Sequence, residues 1–116
     1  MSNSALKFST EGHEYSQPLA LLWFSANWCG PCQHMNPVMQ ELAGKYSEQV
    51  RVLKIDVDQQ TKLSADFAIR GVPTLVLLST DGEIDRQIGS AGLQQLSQWL
   101  NRPLAQLNHS GETHEY

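Results

Sequence analysis

The chain has 116 residues, 41% of them hydrophobic, and 8 Lys+Arg against 12 Asp+Glu give a formal net charge of −4. That is enough apolar material for one domain with a core, since domains most often run ~100–150 residues, and it excludes wholesale disorder. The acidic balance without a basic run argues against nucleic-acid phosphates as partners.

The segment before Leu19 is polar, with one short apolar patch, Ala5-Leu6-Lys7-Phe8, that reads as a brief edge strand. It carries no basic region followed by an apolar one, so the sequence predicts a cytoplasmic protein without a secretory leader. Leu19 to Phe24 is a continuous apolar run, which suits a strand buried on both faces. It is the longest strongly apolar stretch, and a membrane span needs ~20 residues, so no membrane partner is expected. After Trp28-Cys29-Gly30-Pro31-Cys32, residues Met35, Val38, Met39, Leu42 and Tyr46 recur at helical spacing. Pro31 is tolerated in the first turn of this helix, and Pro37 should kink it. Val50 to Asp58 reads as a second strand by its β-branched content, and Gln60 to Ala68 as a short helix. Thr74 to Leu78 is a third strand; a turn at Thr80-Asp81-Gly82 leads to a half-exposed fourth, Glu83 to Ile88. Gly89 and Gly92 break the chain. Leu93, Leu96 and Leu100 then form the face of a last helix that should stop near Arg102-Pro103.

This order predicts an α/β fold with a central mixed sheet and helices on both faces. The strands of the alternating part should be parallel, and the last two antiparallel. One domain is expected over residues 1–107, with its core at 19–102 and a flexible tail at 108–116. A monomer is expected.

The two cysteines, Cys29 and Cys32, are separated by two residues. A loop this small gives a disulfide little stabilising leverage, so redox chemistry or half a metal site are the readings left. A thiol attacks as thiolate, and a free cysteine titrates near ~8.5. Placed just before a helix, Cys29 meets the positive end of the macrodipole and unpaired N–H groups, which should lower its pKa. Cys32, one turn on, is close enough to attack a mixed disulfide on Cys29. The metal reading competes through the histidines His13, His34, His109 and His114. One Cys-x-x-Cys supplies two ligands where a structural zinc needs four, and the one plausible pair, His109 and His114, lies far downstream. His34 should be a solvated histidine, because i+2 on a helix points away from Cys32.

The run Trp28-Cys29-Gly30-Pro31-Cys32 resembles the active-site motif of thioredoxins. Phe24, Ala26, Pro37, Lys54, Asp58, Gly71-Val72-Pro73-Thr74, Gly82-Glu83 and Gly89 match that family in order, from about Leu19 to Leu100. The resemblance implies the thioredoxin fold, with a cis peptide at Val72–Pro73 facing the cysteines. It implies a protein-disulfide reductase in which Cys29 is the nucleophile and Cys32 resolves. No cofactor would be bound; the Cys29–Cys32 disulfide would be recycled by a flavin-dependent reductase using NADPH. Trp28, Gly30, Pro31, Gly71, Val72, Pro73 and Gly89 would line the surface where a substrate polypeptide docks, the backbone at Val72 pairing with it as an added strand. Asp58 would accept the Trp28 indole N–H; its plainer reading is a cap on the helix near Gln60. Lys54 would lie partly buried beneath the cysteines; its plainer reading is a solvated strand-edge lysine.

The sequence also departs from the family. Six residues before Cys29, where thioredoxins usually carry a buried aspartate that takes the proton from the resolving thiol, stands Trp23. Indole N–H is a donor only and cannot act as a base. Ser25 replaces a frequent tryptophan, and the leader is short enough to lack the family's first helix. The alternative to an enzyme is therefore a thioredoxin-like binding or chaperone module with weak turnover. Metal or iron–sulfur handling through the two thiols is the third reading.

Overall fold

The computed structural model describes residues 17–113. The expected strand at Ala5 to Phe8 and any leader helix lie outside these residues. In chain order the elements are β1 (Leu19–Ser25), α1 (Gly30–His34), α2 (Asn36–Lys45), β2 (Val50–Asp56), α3 (Thr61–Asp66), β3 (Thr74–Ser79), β4 (Gly82–Ile88) and α4 (Leu93–Thr113). The sheet order is β2-β1-β3-β4.

β1 is buried along its whole length, as its unbroken apolar run demands. Alternation then divides its side chains. Leu19, Leu21 and Trp23 join Met39 and Leu42 of α2 and Leu96 and Leu100 of α4 on one face. Ala20, Leu22 and Phe24 join Leu63 of α3 on the other, with Phe67 tilted against Phe24 at 5.8 Å between ring centres. Each fully buried Leu contributes roughly 1.5–3 kcal/mol of transfer free energy.

Three expectations are corrected. β3 is antiparallel to β1 rather than parallel; among the described residues only β1 and β2 form a parallel pair. The helix between β2 and β3 has six residues. It advances ~9 Å, too little to carry the chain back along a strand, so β3 starts where β2 ended and Thr74 pairs with Phe24. Second, the helix after the cysteines is not one kinked rod. It ends at His34 and restarts at Asn36 with Met35 between, since Pro37 has no N–H to give the carbonyl a turn earlier. Third, α4 does not stop at Pro103. It continues to Thr113, taking in much of the segment read as a tail. Leu104, 7% exposed, packs on the core directly beyond the proline and holds that turn in place.

Candidate active site

The carboxyl end of β1 delivers Ala26-Asn27-Trp28 into α1. Cys29 is the N-cap residue of that helix, and Pro31 lies in its first turn, as expected. Cys29 and Cys32 form a disulfide, with their Cα atoms 5.2 Å apart. The Cys32 N–H donates to Cys29 Sγ at 3.1 Å. α1 has only five residues, so this discrete N–H, rather than a long helix dipole, is what favours negative charge on Cys29. Cys29 is also more covered than its place ahead of a helix suggests. It keeps 6% of its surface and Cys32 none, because both pack against Ala26, with Val57 and Val72 beside them. Cys29 is thus the more accessible of the two sulfurs, by a small margin.

The segment Gly71-Val72-Pro73 lies opposite. The Val72–Pro73 peptide is cis, and the Val72 carbonyl is 3.8 Å from Cys29 Sγ. Two bonds pin this turn: Thr74 Oγ1 donates to the Gly71 carbonyl at 2.7 Å, and Gly89 N–H donates to the Pro73 carbonyl at 2.9 Å. Gly89 has φ +97°, which a side chain would strain. Trp28 is 70% exposed, and its indole N–H donates to Asp58 Oδ2 at 2.8 Å. Asp58 does not cap α3, whose N-cap residue is Gln60 with no side-chain cap bond; just before the helix, the Asp56 carbonyl takes the Gln59 and Gln60 N–H groups. Beside Trp28 a depression of about 180 Å³ is lined by Val57, Ile69, Gly71 and Val72. A wider groove of about 540 Å³ lies on the other flank, between Pro31 and His34 on α1 and Ser90 and Gln95 before and on α4. His34 is exposed there, as its spacing predicts.

Lys54 is exposed on β2, the outermost strand among the described residues, so it is not a partly buried group beneath the cysteines. Its Nζ sits 4.7 Å from the centre of the Trp23 ring and donates to Asn36 Oδ1 at 3.1 Å. Trp23 is 4% exposed, and its indole N–H has no partner among the described residues; the same holds for the buried Ser25 hydroxyl. Met35 and Met39 are core residues, and Trp99 packs against the same core. Sequence reasoning missed Gln33 and Asn36, which bridge Lys54 to the active-site turn; their signal is an i,i+3 pair of amides directly after Cys32.

Among the described residues, no group of three or more His, Cys, Asp or Glu side chains is placed to hold a metal ion. His13 and His114 lie outside them.

The Thioredoxin family model matches residues 4–102, reaching upstream of the resemblance that began at Leu19. The chain is 35% identical to thioredoxin 1 of Synechococcus elongatus over 97 residues, covering 84% of this chain and 90% of that one. It is 37% identical to the thioredoxin of Haemophilus influenzae over 82 residues, covering 71% and 77%. Among solved structures it is similar to Deadhead, the germline-specific thioredoxin of Drosophila melanogaster. The TM-score is 0.73 and the identity 31%, with 84% of this chain and 91% of that one covered. A mutant thioredoxin from Halobacterium salinarum gives a TM-score of 0.64 at 38% identity, covering 72% of each chain.

Proposed function

Since this chain belongs to the thioredoxin family and is a thiol-disulfide oxidoreductase acting on protein disulfides, we propose that Cys29 attacks and Cys32 resolves. The observation that carries this assignment is the Cys32 N–H donated to Cys29 Sγ, together with the residual exposure of Cys29 alone. The hydrogen bond stabilises the Cys29 thiolate, which attacks one sulfur of a substrate disulfide. One substrate thiolate leaves and takes a proton, and a mixed disulfide remains on Cys29. The Cys32 thiol then gives up its proton and attacks Cys29 Sγ. The second substrate thiol departs, and two electrons have passed from the Cys29–Cys32 pair to the substrate.

Docking is ascribed to Trp28, Gly30 and Pro31 on one side of the dithiol and Gly71, Val72, Pro73 and Gly89 on the other. Asp58 holds the Trp28 indole, and Lys54 supports the site from β2. Family members generally work without a bound cofactor. A flavin-dependent reductase using NADPH is the electron donor in this proposal, the compartment is the cytoplasm, and the protein acts as a monomer in which residues 1–107 are one domain. No helix among the described residues is long and apolar enough to cross a membrane.

The buried Trp23, with no carboxylate at its position, favours the second reading of a binding module with weak turnover. Insulin reduction with NADPH and a thioredoxin reductase separates the two. Catalytic turnover that is lost in Cys29→Ser supports the reductase. Stoichiometric binding of reduced insulin without turnover supports the binding module.

A further inference from the structure

A continuous chain of hydrogen bonds runs from strand β2 to the turn that carries Cys29. Lys54 Nζ donates to Asn36 Oδ1 at 3.1 Å, and Asn36 Nδ2 donates to Gln33 Oε1 at 3.2 Å. Gln33 Nε2 then donates to the Ala26 carbonyl at 3.0 Å and reaches the Asn27 carbonyl at 3.5 Å. The Ala26 carbonyl is also the acceptor of the Cys29 N–H, at 3.2 Å. The orientation of both amides is forced. An ammonium can only donate and a backbone carbonyl can only accept, so one arrangement of the Asn36 and Gln33 amides satisfies every link. All donors point the same way, from the cation toward the active-site turn, and each link polarises the next. The head of the chain is fixed independently, because the Lys54 ammonium rests on the face of the buried Trp23 ring.

We infer that Lys54, Asn36 and Gln33 are positioning residues for the dithiol. They clamp the Ala26 carbonyl, and through it the Cys29 amide, to strand β2. That clamp holds Cys29 Sγ where it accepts the Cys32 N–H and faces the Val72 carbonyl. Cutting the chain leaves both cysteines and the docking surface in place. It lets the turn and its sulfur move, so the thiolate loses part of its stabilisation. The inference rests on the reading that Cys29 is the attacking thiol.

The test uses the full reduced chain and two readouts: the rate of iodoacetamide alkylation at Cys29, assigned by peptide mapping, and the equilibrium constant for exchange with glutathione. Misplacing a reacting group by 1 Å costs ~100-fold, and a slackened turn moves it by less, so Gln33→Met should slow alkylation by roughly three- to tenfold. It should shift the glutathione equilibrium toward the protein disulfide by a similar factor. Asn36→Ser cuts the same chain and should act in the same direction. Lys54→Met should also slow the reaction, but should add nothing in the Gln33→Met background, because links of one chain are not additive. Lys54→Arg keeps a cationic donor on the indole and should stay within about twofold of the parent. Gln33→Met and Asn36→Ser within twofold of the parent, or losses from Lys54→Met and Gln33→Met that multiply independently, overturn the inference. A lowered melting temperature with unchanged alkylation also overturns it, since it marks a merely structural role. Failure of the underlying reading looks different: the parent chain itself would then alkylate at Cys32 as fast as at Cys29.

Discussion

The Trp28 indole N–H reaches across thirty positions of sequence to donate to the Asp58 carboxylate at 2.8 Å. A ring that is 70% exposed beside a dithiol is thereby held in one orientation. Breaking a hydrogen bond of this kind costs about 1 kcal/mol, or a factor of ~5. Asp58→Ala should lower kcat/KM for insulin reduction by roughly that factor, while the urea midpoint moves little because both groups are exposed. Steady-state kinetics beside a urea titration check this; a large stability loss at unchanged kinetics would contradict it.

Trp23 offers a test of the proton route. Its ring is buried, its N–H is unpaired among the described residues, and Lys54 stands over its face. Trp23→Asp should place a carboxylate beside Lys54 and speed resolution of the mixed disulfide near neutral pH by about tenfold, in the low range for a positioned base. The lost packing should cost ~3 kcal/mol or more. Trp23→Phe supplies no base, as the indole supplies none, so its resolution rate should be nearly unchanged. Stopped-flow rates on protein confirmed folded at low temperature decide this. If Trp23→Asp folds and resolves no faster, the proton leaves Cys32 by another route.

On β4, Arg86 Nε donates to Glu83 Oε2 at 2.7 Å and Nη2 to Oε1 at 2.9 Å. This hydrogen bonding holds the Glu83 carboxyl below its ordinary value and raises Arg86. A lowered folded-state pKa stabilises the fold above the unfolded carboxylate range and is lost as pH falls through the folded value. The pair is partly solvated, so only a few tenths of a kcal/mol are involved. Glu83→Gln should therefore show slightly less loss of stability on acidification than the parent, with a smaller difference in high salt. Urea midpoints between neutral pH and the acid range measure it.

The extension of α4 past Pro103 rests on Leu104, which is 7% exposed, whereas Leu107 is 40% exposed. Leu104→Ala should cost about 2–3 kcal/mol and Leu107→Ala under ~0.5 kcal/mol. Equal losses in thermal unfolding would show that the segment beyond the proline does not pack as described.

Much of this architecture is legible in the sequence. β1 shows itself by an apolar run without alternation, and the redox pair by two cysteines spaced for exchange in a chain with no others, although that spacing left half a metal site open as well. The direction of β3 is not legible, because strand order alone does not say whether six residues of helix carry the chain back or merely turn it. Nor is the passage of α4 through Pro103, where a buried Leu one residue later outweighs a missing hydrogen bond. Lys54 differs for a similar reason. Its family position suggests burial, but the side chain is exposed and rests on the face of Trp23. Gln33 and Asn36 escape a helix pattern that reads only apolar faces.

The central claim is that Cys29 attacks and Cys32 resolves, and mixed-disulfide trapping tests it most directly. Reduced Cys32→Ser, mixed with a disulfide-bonded protein such as insulin, should accumulate a covalent adduct that peptide mapping places on Cys29 and that dithiothreitol releases. Cys29→Ser should accumulate almost none, because Cys32 is fully covered. Adducts forming equally in the two variants, or in Cys29→Ser alone, would contradict the assignment.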